Sequence, residues 1–314
     1  MNGENMLSSV KNHWEFLNPY IHKQAGIKNV SIDILIAFSP LIIYSVYLLG
    51  KAAVFLLLSA VVTAIISEIV FNITLKKSIN LDAEGSVLTG IILLVMLPVS
   101  IPWWVLSSGV LFSIIIKKIL NGPGRISVNS AVAGWLFIQL VFPQTAGSRL
   151  KYLFQTLFNG GASLINIFGN ILSANIIANM QLSSFIELSL LAVVLGVLYL
   201  LFSGRLELHS SIPYFLFLLI GFTLAAIYSG KINYPALFGP AALLSIFILA
   251  GETATLPLSS IGKVVFGTGC GIISLLFYAL SREGCAFYLS VFLMNLAVPL
   301  IDLVTIPRPL GVKY

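Results

Sequence analysis

Along the chain, long apolar runs alternate with short polar interruptions. The runs lie near 31–49, 53–74, 86–100, 102–120, 127–143, 184–203, 211–229, 235–251, 262–281 and 285–302. Crossing the apolar core of a bilayer takes about 20 mostly apolar helical residues, so each run is read as a candidate spanning helix. The third and fifth are short, and several contain Gly or Pro; such helices persist where neighbouring helices satisfy the backbone they disturb. No stretch alternates with period two, which excludes a transmembrane barrel. The pattern predicts an all-α integral membrane protein with about ten transmembrane helices.

Composition sharpens this reading. Of 314 residues, 58% are hydrophobic and only 9% charged, against about 25% charged in a typical soluble domain. With mean hydropathy +1.03, the chain is no soluble enzyme, disordered segment or nucleic-acid binder. Cys270 and Cys285 both lie inside apolar runs, which leaves neither a disulfide framework nor a metal motif. The net charge of +6 comes from cations scattered between the runs. With both termini placed inside, the inner segments hold Lys11, Lys23, Lys28, Lys76, Lys77, Lys117, Lys118, Arg125, Arg205, Lys263, Arg308 and Lys313, while the outer ones hold Lys51, Arg149, Lys151, Lys231 and Arg282. Cytoplasmic loops carry the excess of Lys and Arg, so both termini are expected in the cytoplasm and the longest loop, about 144–183, outside. Residues 1–28 lack the apolar core of a signal peptide and read as a cytoplasmic N-terminal segment. It contains one amphipathic stretch (Trp14, Phe16, Leu17, Tyr20) suited to the lipid surface, and 29–311 form a single membrane domain. Five runs precede the long loop and five follow it. NSAVAGWLFIQLVFP (129–143) echoes CAFYLSVFLMNLAVP (285–299). An odd number of spans per half makes two inverted five-helix repeats, a plan that places polar sites near the midplane.

Ionisable groups at membrane depth are costly and mark function. Asp33, Glu68, Glu187, Glu252 and Asp302 lie in or at the ends of runs. Asp33 and Asp302 read as interfacial caps or partners of helix ends, whereas Glu68 sits deeper. Glu252, in LAGETATLP, follows a long apolar run, and a helix interrupted there sets Glu252, Thr253 and Thr255 against a polar group. A second interruption, LDAEGSVLTG (81–90), gathers Asp82, Glu84, Ser86 and Thr89 around Gly85 at a helix start, where unsatisfied N–H groups collect. A third, NGPGRISVNSAVAG (121–134), enforces a turn before Arg125, Ser127, Asn129 and Ser130, which are suited to cap the fifth run. The outer loop contains FNGGASLINIFGN (158–170), a glycine turn with an accessible hydroxyl at Ser163. His13, His22 and His209 show no metal spacing, and no nucleotide-binding glycine motif follows a strand.

In order, these segments resemble the RnfD/NqrB family, the D-type subunits of Rnf complexes and the B-type subunits of Nqr complexes. These are membrane subunits of ion-translocating electron-transfer complexes. The resemblance is carried by GKVVFGTGCG (262–271), EGCAFYLSVFLMN (283–295), VPLID (298–302) with the following Pro307-Arg308, GSVLTGIILLVMLP (85–98) and PWW (102–104). It runs over about residues 30–311, and the short N-terminal segment favours the Rnf D type. The resemblance implies FMN esterified through its phosphate to a hydroxyl in an S-G-A-T motif on the outer loop. Here the tetrapeptide is Gly160-Gly161-Ala162-Ser163, with Gly in place of the first Ser and Ser163 in place of the acceptor Thr. It further implies a flavin transferase for maturation, partner subunits including a second flavinylated one, and a bacterial or archaeal plasma membrane. Asp82, Thr89, Asn129, Glu187, Glu252 and Thr253 stand as further candidate site residues. Gly251-Glu252-Thr253 occupies the place of the family's T-D-P, and Trp135 that of an Arg. Two alternatives stay open at this point: a flavin-based extracytosolic electron route without an NAD step, and a secondary transporter.

Overall fold

The computed structural model describes residues 25–74, 83–120, 128–143, 190–229, 238–281 and 284–305. Among these, ten helices and no strand occur. In chain order they are α1 (Ala25–Leu49), α2 (Lys51–Thr74), α3 (Ala83–Met96), α4 (Trp103–Leu120), α5 (Ser130–Val141), α6 (Leu190–Phe202), α7 (Leu208–Ser229), α8 (Pro240–Leu249), α9 (Ser260–Ser281) and α10 (Cys285–Thr305). The chain is thus an all-helical membrane protein. Helix α1 already includes Ala25–Lys28, which the hydropathy reading assigned to the N-terminal segment.

Five helices (α1, α2, α7, α9 and α10) are long and apolar enough to cross a bilayer alone. On α2, Ala53, Leu56, Ala60, Ala64 and Glu68 are buried at helical spacing, while Phe55, Leu58, Val62, Ile66 and Ile73 are exposed on the opposite face. An exposed face as apolar as the buried one is what lipid contact demands.

The shorter helices depart from the runs in an informative way. The run 86–100 stops being helical at Met96, ahead of Pro98, and Leu97–Pro102 turns the chain into α4 through Ile101 N–H to Pro98 O (3.2 Å). The run 235–251 is helical only over Pro240–Leu249, and its last six residues, Leu244–Leu249, wind as a π-helix closed by Ala250 N–H to Ser245 O (2.8 Å). A short 3-10 turn, Thr253–Thr255, and Pro257 then precede α9. Hydropathy counts apolar atoms and is blind to where a helix widens or stops. Single π turns inside helices recur at functional sites, and this one leads directly to Glu252.

Two turns depend on glycine. Gly50 (φ +59°) joins α1 to α2, and Gly204 (φ +67°) ends α6 with Arg205 N–H reaching back to Leu200 O (3.2 Å). That turn carries Arg205 back to Asp33 of α1. Prolines lie within α1 (Pro40), α7 (Pro213) and α10 (Pro299). At Pro40 the carbonyl that loses its helical donor, that of Ile36, accepts the Ser39 hydroxyl instead (2.7 Å).

The two halves are built alike. In the first, α4 packs between α2 and α5; in the second, α9 packs between α7 and α10. The short α3 lies against α1 and α5, as α8 lies against α6 and α10. Matching members also meet across the halves: α1 packs on α6, and α5 on α10. At the first crossing a Cβ on Gly196 would stand 2.4 Å from Ala37 O, so only glycine permits the approach. At the second, Trp135 of α5 meets Tyr288 of α10 edge-on, centroids 5.4 Å apart. The segments that echo each other in sequence, 129–143 and 285–299, are therefore α5 and α10, in equivalent positions. Among the described residues, each set of five helices thus repeats the other's order of packing.

Candidate functional site

The site grows from the start of α5. Ser130–Val141 is apolar except for Ser130 and Gln139, and begins where Asn129 adopts an extended backbone (φ −63°, ψ 109°). The Asn129 carbonyl oxygen Oδ1 accepts the N–H groups of Ala131 (3.1 Å) and Val132 (3.2 Å). That is the cap expected of Asn at this place. The amide nitrogen is left over, and it donates to Glu252 Oε2 at 2.7 Å across a separation of 123 residues. Glu252 follows the π-helical end of α8, so this bond ties the break in the second half to a helix start in the first. Its own backbone carbonyl is held by the N–H (3.2 Å) and the hydroxyl (3.3 Å) of Thr255. The Lys117 ammonium, near the end of α4, lies close enough to act on the Glu252 charge.

Thr89 joins from α3. Its hydroxyl donates to Gly85 O (2.9 Å) and lies 3.5 Å from the Ser130 hydroxyl, beside Asn129. A Cβ on Gly85 would stand 2.8 Å from Lys117 Nζ, so the small residue at the start of α3 makes room for that ammonium. Of the sequence candidates, the structure therefore brings Thr89, Asn129 and Glu252 together. Thr253 is exposed in the 3-10 turn, facing out of this group, and the buried hydroxyl there is that of Thr255. Asp82, Gly160, Gly161, Ala162, Ser163 and Glu187 lie outside the described residues, as does the loop 144–183.

A second acid lies in the first half. Glu68 of α2 is fully buried, and its carboxylate accepts the Lys118 ammonium of α4, the Asn72 amide (3.2 Å) and the Ser86 hydroxyl of α3 (2.7 Å). Three further acids among the described residues accept donors from elsewhere in the chain. Asp33 accepts Arg205 Nε (2.6 Å) and the Tyr199 hydroxyl (3.2 Å), and Asp302 accepts the N–H of Leu258 (3.0 Å). Glu207, just before α7, pairs with Lys263 (2.8 Å) and His209 (2.8 Å). Burial pushes its carboxyl up, but the bonds from Lys263 and His209 outweigh that and hold it below the ordinary glutamate value.

A model of the NQR2, RnfD, RnfE family matches residues 16–311. The chain belongs to this family. Among its relatives is the D subunit of the Na(+)-translocating ferredoxin:NAD(+) oxidoreductase complex of Acetobacterium woodii, 27% identical over 94% of each chain. The D subunits of the ion-translocating oxidoreductase complexes of Methanosarcina acetivorans and Salmonella arizonae are each 25% identical, over 93% and 94% of this chain and 95% and 97% of their own.

Sequence reading took Lys117 and Lys118 only as charges that orient the protein, and missed that Lys118 pairs with the buried Glu68. A cue was present: Asn72 follows Glu68 by four residues, the spacing of one helix face. Asn295 was missed as well. It stands two helical turns beyond Tyr288 on the buried face of α10, fully buried, and neither atom of its carboxamide has a partner among the described residues. Pro299, four residues on, also removes the helical donor to the Asn295 carbonyl. The echo 129–143/285–299 sets Asn295 opposite Gln139 of α5, a second buried amide. That alignment was the signal that could have found the pair.

Proposed function

We propose that the chain is the D-type membrane subunit of an Rnf-like ion-translocating electron-transfer complex, and that it carries one FMN joined by phosphoester to Ser163 on an extracytoplasmic loop. Family membership over residues 16–311 supports the first part, together with relatives named as D subunits of ion-translocating oxidoreductase complexes. The observation that carries the second is the tetrapeptide Gly160-Gly161-Ala162-Ser163, which keeps the acceptor hydroxyl at the position where the family's motif has Thr. A phosphoester needs an alcohol oxygen, and serine supplies it; the two glycines leave the backbone open to a modifying enzyme. The positive-inside count supports an external position for this loop.

When bound, FMN supplies a centre that exchanges one or two electrons; the protein contributes attachment and surroundings. Within the membrane domain the chain's own groups do the remaining work. Asn129 fixes the start of α5, Glu252 places a carboxylate where the two halves meet, and Lys117 offsets that charge. Partner subunits, including a second flavinylated one, would complete the electron path between ferredoxin and NAD. This chain alone would catalyse no complete reaction.

The test is the intact mass of the chain co-produced with a flavin transferase, followed by peptide mapping. An increment of FMN less one water on the peptide containing Ser163, absent from Ser163→Ala, is the expected result. An unmodified mass, with the transferase active on a control substrate, overturns the flavin assignment. Co-purification of the unmodified chain with its partner subunits would leave complex membership standing.

A further inference from the structure

In the second half, polar groups without partners gather at one depth. Asn295 of α10 is fully buried, and neither its Oδ1 nor its Nδ2 has a partner among the described residues. The Ser211 hydroxyl of α7, also fully buried, is orphaned in the same way. Contacts made by α9 set the register between them. A Cβ on Gly267 would stand 2.1 Å from Ser210 O of α7, and one on Gly269 would stand 2.4 Å from the Met294 methyl of α10. The Ser210 hydroxyl donates to Ala250 O, just past the end of α8, at 2.6 Å. Ser211 and Asn295, the neighbours of Ser210 and Met294, therefore lie level with the end of α8. The direct contact of α8 with α10 agrees. A Cβ on Gly284 would stand 2.8 Å from the Ala241 Cβ, and from that common start α8 is spent as α10 approaches Asn295. Backbone groups add to the set. The last carbonyls of a helix have no donor within it, and Pro299 withdraws the helical donor from the Asn295 carbonyl.

We propose that this layer holds ordered water, buried between α7, α8, α9 and α10 and anchored by the Asn295 carboxamide, with the Ser211 hydroxyl and the end carbonyls of α8 as its further partners. Chemistry selects the ligand. A carboxamide offers two N–H donors and an acceptor, a hydroxyl one donor and an acceptor, and a carbonyl only accepts. The occupant must therefore both donate and accept. Every one of these groups is neutral, so an ion would sit among them without a countercharge, which is costly. On its own helix Asn295 stands with buried Val291, Met294 and Val298, and the smallest molecule of this kind is the one that fits. Left dry, each group would forfeit the bonds it makes to water in the unfolded chain; a buried water making about three bonds restores them. Ordered water is one of the means by which backbone groups freed by proline are satisfied inside a membrane. The layer sets water at membrane depth beside the break that carries Glu252, where α8 gives way to the 3-10 turn. It rests on contacts within the chain and is independent of the flavin and of complex membership.

The experiment is X-ray radiolysis of the full-length chain in lipid nanodiscs, with oxidation of each methionine read by mass spectrometry. Radiolysis turns bound water into hydroxyl radicals, which attack the nearest reactive side chain, and methionine is among the most reactive. The chain carries its own control. Met294 and Met96 are both buried, but Met96 stands among the buried apolar residues Leu93, Leu94, Val95 and Leu97. Met294 should be oxidised several-fold faster than Met96, while chloramine-T, which attacks from bulk solvent, should leave both intact. Asn295→Leu, close in size but without a polar group to hold water, should bring Met294 down to the rate of Met96. Ser211→Ala should lower the Met294 rate in part. Met294 oxidised no faster than Met96 in wild type overturns the proposal, as does rapid attack on Met294 by chloramine-T. A fast Met294 rate that Asn295→Leu leaves unchanged overturns it too. If Asn295→Leu cannot be purified, Ser211→Ala takes its place, and an unchanged rate in that variant counts against the site in the same way.

Discussion

The bond from Asn129 to Glu252 can be weighed by a double-mutant cycle. Asn129→Ala removes two things: a helix cap, typically worth about 1 kcal/mol, and the bond to the carboxylate. Hydrogen bonds between side chains in membrane proteins average about 0.6 kcal/mol, and charge-assisted ones are roughly twice as strong. The 2.7 Å contact is thus assigned about 1–2 kcal/mol, and Asn129→Ala should cost about 2–3 kcal/mol in all. Asn129→Ser separates the parts, since serine still caps Ala131 and Val132 but is too short for Glu252. It should retain the cap and lose only the second share. Combined with Glu252→Gln, Asn129→Ala should show a coupling of about 1–2 kcal/mol, read from unfolding of the chain in lipid nanodiscs by increasing denaturant. Additivity within about 0.5 kcal/mol would refute the link between the halves, even if each single variant were destabilised.

Other outcomes follow from neighbouring contacts. Gly134→Ala places a methyl 1.8 Å from Ser113 Oγ and 2.8 Å from Gly109 O, so overpacking where α4 meets α5 should cost about 1–3 kcal/mol. Ser113→Ala in the same chain should recover part of this in the same unfolding assay. Tyr214 bonds the Ser274 (2.6 Å) and Ser290 (3.1 Å) hydroxyls in a fully buried group joining α7, α9 and α10. Tyr214→Phe should cost only about 1 kcal/mol, because Ser274 and Ser290 still bond each other at 2.6 Å; a loss above about 3 kcal/mol would contradict that. For Glu207, a folded value below the unfolded one means its stabilisation is full above the unfolded value and is lost as pH falls through the folded one. Wild type should therefore lose more stability than Glu207→Gln between neutral pH and pH values under the ordinary carboxylate range, as thermal midpoints across pH would report.

Much of the fold was legible because lipid imposes one rule on every span: apolar side chains outside and backbone bonds satisfied within. That rule marks α1, α2, α7, α9 and α10 in plain hydropathy. It fails at α3 and α8, where the chain stays apolar after it stops being α-helical. Pro98 offered a hint for α3. The π-helix at Leu244–Leu249 offered none, since it follows from how α8 fits against α6 and α10 rather than from residue type. Among the site residues, Asn129 was legible as a local cap, a relation spanning three residues. Its bond to Glu252 was not, because it depends on how two halves far apart in sequence come to face each other. The second role of Lys118 was hidden for a similar reason: at a helix end a lysine satisfies the orientation rule whether or not it also reaches a buried acid.

The two halves are alike in packing but not in chemistry, and the difference lies in their acids. Glu68 is enclosed within the first half, by α2, α3 and α4, and is matched there by its own lysine. Glu252 belongs to the second half yet finds its hydrogen-bond donor, Asn129, in the first, and the cation that acts on it, Lys117, is also from the first. At the end of α4, Lys118 pairs with Glu68, and the charge of its neighbour Lys117 is felt at Glu252. On a helix, neighbours in sequence point about 100° apart, so one helix end can address both acids without the acids touching. Any rotation or shift of α4 that changes the reach of Lys118 must also change that of Lys117. A pair of inverted repeats, each closed on its own charges, would have no such connection. Here the Asn129–Glu252 bond crosses between the halves, and α4 carries a cation toward the acid of each.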